Sequence, residues 1–394
     1  MKKADVIVIG AGPSGLRTAE RLARTGLDVR VYEKKPRVGA GVVCTGIVGR
    51  EAFDDFGLDR GAVVADMQTV RLVSPFATEL VYTHPRPFAC VVEREAFDGR
   101  LAEAAAAAGA EIVCGVRVKD VSVGSAGVEV SAEDGEGRVK RRTASLAVLA
   151  TGVDFVLQRK LGLSVPRSFL QGAQVEFAAP AAGETSLFFG RDVAPGAFGW
   201  SVPAGPGRVR VGVLTSKDAR TRLRGLLDRH FAGPGLREDG PLRSRPIAQG
   251  LLDRTFGDRV LAVGEAAGQT KTTTGGGISY GLACADVAAD VVRECFDRSS
   301  FGPSALAAYE RRWKDLLQKE IVVGHLTRRM CARLSDGRIE SLFQLARTDG
   351  IVPIIRGTAD FDRHSGLILA LLERLSFMRF FRGVRDRLGP FSVS

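Results

Sequence analysis

Two glycine-rich stretches hold residue types and spacings that could do chemistry. In "GAGPSG", Gly10, Gly12 and Gly15 form a GxGxxG between an apolar run at 6–9 and an amphipathic stretch to Arg24. Gly10 there permits a tight turn and Gly12 lets a pyrophosphate approach the backbone. Gly15 lets a helix pack closely, its first N–H groups toward the phosphate. Glu33 ends the next apolar run, 18 residues after Gly15, where a carboxylate can accept from ribose hydroxyls. Such a carboxylate repels a 2′-phosphate, so NAD or FAD is expected and not NADP. No second GxGxxG follows a strand pattern. That leaves one NAD, or one FAD reduced by a donor without a Rossmann domain of its own.

The second stretch, "GEAAGQTKTTTGGGISYG" at 264–281, decides between them. Three glycines run into a helix expected to begin at Ile278, although glycine gives up about 1 kcal/mol against alanine in a helix interior. A strand at 259–263 precedes them, and the turn after it carries Glu265, an acid placed to accept from ribityl hydroxyls. Gly275, Gly276 and Gly277 then expose the unpaired N–H groups of a helix start to the edge of a ring. The positive end of the helix dipole stabilises negative charge there, as forms at N1–C2=O of a reduced flavin. Anion stabilisation at a flavin accounts for the glycines.

Strand, turn, helix and strand over residues 6–32 make a βαβ unit. Short alternating runs between Met67 and Val92 read as strands, "REAFDGRLAEAAAAAG" at 94–109 as a helix, and 112–150 as further strands around the hairpin turn "AEDGEGR". More strands fall at 170–215, a helix near 217–232, and basic helical sequence after Phe301. The expected fold is α/β: a Rossmann-type FAD-binding domain (1–62, 92–156 and 247–300) interleaved with an α+β substrate domain. The latter is an antiparallel β-sheet domain (63–91 and 157–246), and a helical C-terminal region (301–394) follows.

Composition excludes several classes. With 45% hydrophobic and 26% charged residues the chain is of the soluble globular kind, and no apolar run approaches the 18 residues that span a bilayer. The lysines of "MKKADVIVIG" precede too short an apolar stretch for an export signal, so reduced thiols and a cytoplasmic location are expected. Six scattered cysteines and the four histidines (His84, His230, His325, His364) show no metal-ligand or general-base spacing, so no metal is expected. Fifty-six basic against 45 acidic residues, a formal charge of +11, favour anionic partners such as phosphates or lipid headgroups. The arginines are not interleaved with aromatics, so no nucleic acid is expected.

The chain resembles the geranylgeranyl reductase family of FAD-dependent oxidoreductases, within the wider hydroxylase-like flavoproteins. The matching pieces run nearly end to end: "GAGPSG", "YEKKPRVGAGVVCTGI", "VVEREAFDGRLAEAA", "LAVLATGVDFVLQRKLGL", "FGWSVPAGPGRVRVGV", "VGEAAGQTKTTTGGGISYGL" and "YERRWKDLL…LSDGRIESLF". The resemblance implies FAD contacts from Ser14 and its glycines to the pyrophosphate, and from Glu33 to the adenosine ribose. It puts Cys44 and Thr45 near the flavin, Arg94 near phosphates or ribityl, the Val118 backbone on adenine, and Gly277 and Ile278 at the flavin edge. Two positions depart from the family. Glu265 stands where relatives have Asp, so ribityl geometry must adjust; Ala150-Thr151-Gly152 replaces "ADG", so contacts needing that acid are not expected.

The implied reaction is reduction of isolated C=C bonds in a prenyl chain on a lipid, diphosphate or quinone tail. Hydride would come from flavin N5 and the proton from an acid. A thiol of ordinary pKa, about 8.5, is mostly protonated at neutral pH, which makes Cys44 the candidate donor and Tyr280 the fallback. Phe188, Phe189, Phe198 and Trp200 are expected to line a dry tunnel, although ordinary sheet core accounts for any one of them equally well. Residues 366–388 place apolar side chains near one helical stripe with Arg374, Arg382 and Arg385 available opposite. That suits either an anionic membrane surface, on the inner face, or a helix capping the substrate domain. The electron donor is open between NAD(P)H and a ferredoxin-like protein. The rival readings are a flavin monooxygenase or halogenase of the same fold, a membrane-associated electron carrier to quinone, and a flavin binder without catalysis.

Overall fold

The computed structural model describes residues 3–178, 184–231, 237–238, 240–348 and 351–373. One sheet runs, in spatial order, Phe256–Gly257, Val260–Ala262, Val139–Leu149, Ala4–Ile9, Val29–Glu33 and Glu111–Cys114. Four of the five pairings along this row are parallel, for example Val8 opposite Val148 on one side and Val31 on the other. The chain leaves Ala4–Ile9 toward one neighbour and returns to the other later. The crevice beyond Ile9 is therefore a topological switch point, where open α/β sheets bind ligands.

Alternation puts Val6 and Val8 in one apolar core and Ile7 and Ile9 in another, so both faces of the sheet are covered. Helices Pro13–Ala23 and Ile278–Asp297 pack together on the first face, while the antiparallel pair Arg117–Gly124 and Gly127–Glu133 extends the sheet.

A second, mostly antiparallel sheet runs Arg237–Glu238, Ser168–Ala178, Arg208–Thr215, Phe198–Pro203, Thr185–Phe188, Thr69–Val73 and Glu79–Thr83, with Arg243–Gln249 also paired to Ser168–Ala178. Three short strands, Ile47–Gly49, Ala89–Val92 and Val63–Met67, form a third sheet. Fold class agrees with the sequence reading, an α/β core interleaved with an antiparallel sheet and followed by helices.

The 29-residue helix Pro303–Cys331 ties the C-terminal region to the first sheet through two fully buried aromatics. Tyr309 donates to the Ala262 carbonyl at 2.6 Å and Trp313 to the Thr255 hydroxyl at 3.0 Å. Helices Asp336–Thr348, Ile351–Thr358 and Ser365–Glu373 gather around Leu334, Ile351 and Leu369. The start of the expected amphipathic tail is thus packed in the C-terminal region; Arg374, Arg382 and Arg385 lie outside the described residues. Among the described residues no helix is long and apolar enough to cross a membrane, and no cluster of side chains could hold a metal.

Candidate functional site

One cavity of about 830 Å³ opens at the switch point and continues to the second sheet. At its nucleotide end the glycines are required by shape. A Cβ on Gly10, at φ +109°, would lie 2.3 Å from the Ala150 carbonyl oxygen, and one on Gly15 would lie 2.1 Å from that of Gly10. Nothing lies within 4 Å of a Cβ on Gly12, which faces open cavity and starts helix Pro13–Ala23 with no side-chain cap. Ser14 lines the cavity too, its hydroxyl so close to Gly264 and Gly281 that a Cβ on either would strike it.

Glu33 is buried at the end of its strand, accepting from the Ala11 N–H at 2.8 Å and the Lys35 N–H at 2.9 Å. A carboxylate offers about four acceptor sites, so capacity remains for a ribose hydroxyl. Val118 and Thr151 line the same end. The Thr151 hydroxyl is buried without a hydrogen-bond partner, a polar group left for a ligand. Bare glycines, an uncapped helix start, a pinned carboxylate, an orphan hydroxyl and a cavity of ligand size together fit FAD.

Cys44 and Thr45 line the cavity from a loop held from two sides. From the second sheet, Gln174 donates to the Cys44 carbonyl at 3.2 Å and Arg210 to that of Thr45. Arg210 is itself held by Glu176 at 2.7 Å. From the other side comes Arg94, 9% exposed, which grips both Asp98 carboxylate oxygens at 2.9 Å and lines the same cavity as Cys44, whose sulfur accepts from the Gly46 N–H at 3.4 Å. Burial alone would lower the Arg94 guanidinium, but the Cys44 sulfur and Asp98 outweigh it and hold the cation above its ordinary range. Burial pushes the Asp98 carboxyl up. Asp98 was missed in the sequence, although its i,i+4 spacing from Arg94 inside "REAFD" was a usable signal.

The late glycine stretch follows strand Val260–Ala262. Glu265 lines the cavity, but its carboxylate meets the Arg245 guanidinium, and the Ala248 N–H lies 3.5 Å from its second oxygen. An acid expected to face ribityl hydroxyls is already engaged by a cation from strand Arg243–Gln249, a partner no local pattern announces. Gly275, at φ +75°, closes a tight loop in which its N–H donates to the Lys271 carbonyl at 2.7 Å, and the Lys271 N–H donates to the Gly276 carbonyl at 2.7 Å. Helix Ile278–Asp297 begins with Gly277 as its uncapped N-cap. Gly276, Gly277 and Ile278 line the cavity as expected of a ring-facing helix start.

Tyr280 is displaced from the expected place. It is 4% exposed in the core under the first sheet and does not line the cavity. Two residues along a helix rotate about 200°, so when Ile278 faces the cavity Tyr280 faces away. Burial first, then the acids Glu320, Asp362 and Asp360, push its phenol far above the ordinary range.

At the apolar end, Phe198 and Trp200 line the cavity with Leu187, Leu214, Ile247 and Phe361. The Trp200 indole lies so close on Gly212 that a Cβ there would be 2.3 Å from Cζ2. Phe188 and Phe189 do not line it. Leu187 pairs with Trp200 and faces the cavity, so Phe188, the next residue of the strand, points to the opposite face. There its ring meets His230 at 4.6 Å. Phe189 lies beyond the strand end, its ring between Phe198 at 6.3 Å and Phe343 at 5.8 Å.

Known proteins resemble this chain along its length. Residues 8–64 match the model of the NAD(P)-binding Rossmann-like domain. A digeranylgeranylglycerophospholipid reductase 2 of Methanothermobacter thermautotrophicus is 28% identical over 352 residues, 87% of this chain and 91% of that protein. The digeranylgeranylglycerophospholipid reductase of Methanothrix thermoacetophila is 27% identical over 371 residues, 89% of this chain and 93% of that one. Among solved structures, a geranylgeranyl bacteriochlorophyll reductase-like protein of Thermoplasma acidophilum superposes with a TM-score of 0.85 at 20% identity, covering 99% of each chain. The flavin-dependent brominase Bmp2 reaches 0.72 at 18% identity over 98% of this chain and 99% of its own, so the fold alone is shared with other flavin chemistries. End to end, this chain is similar to the geranylgeranyl reductase family of FAD-dependent oxidoreductases.

Proposed function

We propose that the protein is an FAD-dependent reductase that saturates C=C bonds in the prenyl chain of a lipid. The observation that carries this reading is continuity. One cavity joins a dinucleotide end, with Gly12 and Glu33, to an apolar end, with Phe198 and Trp200, and Cys44 and Gly277 line it too. The relatives' names supply the substrate class, a digeranylgeranyl glycerophospholipid.

Bound in reduced form, FAD would supply the hydride equivalent for one alkene carbon. The chain's own residues do the rest. The pinned Glu33 carboxylate would accept from ribose, Gly12 would admit the pyrophosphate, and the amides at Gly277 and Ile278 would meet the ring. Phe198, Trp200, Leu214 and Ile247 hold an apolar chain and exclude water, which matters because an isolated alkene is a poor electrophile and positioning must lower the barrier. Cys44 holds a proton on sulfur at the cavity wall and gives it to the second alkene carbon. The buried Arg94 guanidinium, whose charge acts on that sulfur, stabilises the negative charge left behind. Hydride and proton together add two hydrogens per bond.

The +11 formal charge supports an anionic membrane face as the source of lipid, with protein docked from the inner side. A single dinucleotide motif supports an external electron donor, either NAD(P)H or a ferredoxin-like protein. The test is to reduce the FAD-loaded protein with dithionite, offer a digeranylgeranyl glycerophospholipid, and follow its mass. Stepwise gain of two hydrogens is expected. An unchanged lipid alongside rapid reoxidation of the flavin by oxygen with an aromatic substrate would replace this reading with that of a monooxygenase.

A further inference from the structure

Lys271 sits in the tight loop that precedes the three glycines, yet its side chain is only 6% exposed and lines the cavity. A Cβ placed on Gly276 would lie 2.9 Å from Lys271 Cε and 3.5 Å from Nζ, so the side chain runs along the glycine face. Its ammonium therefore shares a patch of wall with the uncapped amides at the start of helix Ile278–Asp297. From the C-terminal region, 91 residues away, Asp362 accepts from Nζ at 2.8 Å and the Phe361 carbonyl at 3.2 Å; the Phe361 ring centroid lies 4.2 Å from Nζ. The neighbouring His364 ring is held neutral, its pKa lowered first by burial and then by the Lys271 charge.

Burying an ammonium is costly unless it is paired. A loop whose only task was to reach the helix could hold any apolar side chain here. What this side chain adds is a cation at the point where the backbone already presents positive partial charge.

Resting on the reading that FAD occupies this cavity, we infer that Lys271 is the cationic half of an anion-stabilising wall that sets the reduction potential of the bound cofactor, with Asp362 as its attenuating counter-charge. A cation beside a ring that gains negative charge on reduction favours the reduced form; a carboxylate opposes it. The two residues therefore act with opposite sign, although they form one ion pair.

That opposition supplies the experiment. FAD-loaded wild type, Lys271→Met, Asp362→Asn and the double variant are titrated against redox dyes, with FAD content read from absorbance. Lys271→Met is expected to shift the midpoint potential to more negative values, Asp362→Asn to more positive values, and the double variant to fall nearer wild type than Lys271→Met. A structural latch would instead give the same sign, or no shift, in both single variants, with equal loss of thermal stability; that result overturns the inference. Should Lys271→Met not fold, Asp362→Asn decides alone, since a positive shift is expected only of a removed counter-charge. Wild type that takes up no FAD refutes the cofactor reading and this inference with it. Bound FAD with unmoved potentials refutes the inference alone.

Discussion

Arg245 reaches from the second sheet to the end of a first-sheet strand and meets the Glu265 carboxylate, while also lying 3.4 Å from the Val43 carbonyl beside Cys44. One guanidinium thus spans the strand of the antiparallel sheet, the cysteine loop and the late glycine stretch. The pair is partly exposed, 29% and 17% for the two side chains, so it is worth less than a fully buried ion pair. Arg245→Ala should cost about 1–2 kcal/mol in urea unfolding, because Glu265 is left half-buried and unpaired. Adding Glu265→Gln should recover most of that loss; no recovery would place the stabilisation elsewhere in Arg245.

Gly12 and Gly15 separate folding from binding. Gly15→Ala forces a Cβ to 2.1 Å from the Gly10 carbonyl oxygen and should destabilise the chain by about 1–3 kcal/mol. Gly12→Ala meets no atom within 4 Å and has ordinary extended backbone, so its unfolding midpoint should match wild type while FAD uptake falls steeply. Equal FAD affinity in Gly12→Ala and wild type would remove the pyrophosphate from that position.

Cys44→Ser keeps the shape of the side chain but makes a far weaker acid. A general acid typically contributes about 10²–10⁴ in rate. Single-turnover lipid reduction should therefore fall by about a hundredfold with FAD content unchanged. A rate equal to wild type would take the thiol out of the reaction.

Burial and the nearby Arg328 and Arg329 lower the His325 pKa to about 4, against an ordinary 6.5. The unfolded chain therefore binds a proton in the window between those values that the folded chain does not. The stability tied to a neutral His325 is complete above pH 6.5 and is lost progressively as pH falls toward 4. His325→Gln should flatten that part of the urea-midpoint profile between pH 7 and 4.5. An identical acid slope in the variant would assign the effect to other groups, with His230 and His364, both lowered by burial, the first to examine.

Much of the site was legible from local pattern. Gly10, Gly12, Gly15 and Glu33 were readable because each answers a backbone requirement set within one βαβ unit. Cys44, Thr45, Arg94, Val118, Glu265, Gly276, Gly277 and Ile278 came from motifs, and these eight residues line one cavity. Phe188 and Tyr280 failed for one reason. A motif names residues near a site but does not say which neighbour faces it; period 2 in a strand and 3.6 in a helix turn adjacent residues apart.

By itself the sequence determined the dinucleotide crevice and the α/β core beside an antiparallel sheet, since those depend on hydrogen-bonding and steric rules acting over a few residues. Only the tertiary structure decided the charges. Lys271 with Asp362, Glu265 with Arg245, and Cys44 with Arg94 each join segments distant in the chain. A charge buried by folding takes its meaning from whichever counter-charge the fold brings to it, and that distance is not written in the spacing of residues along a strand or a helix.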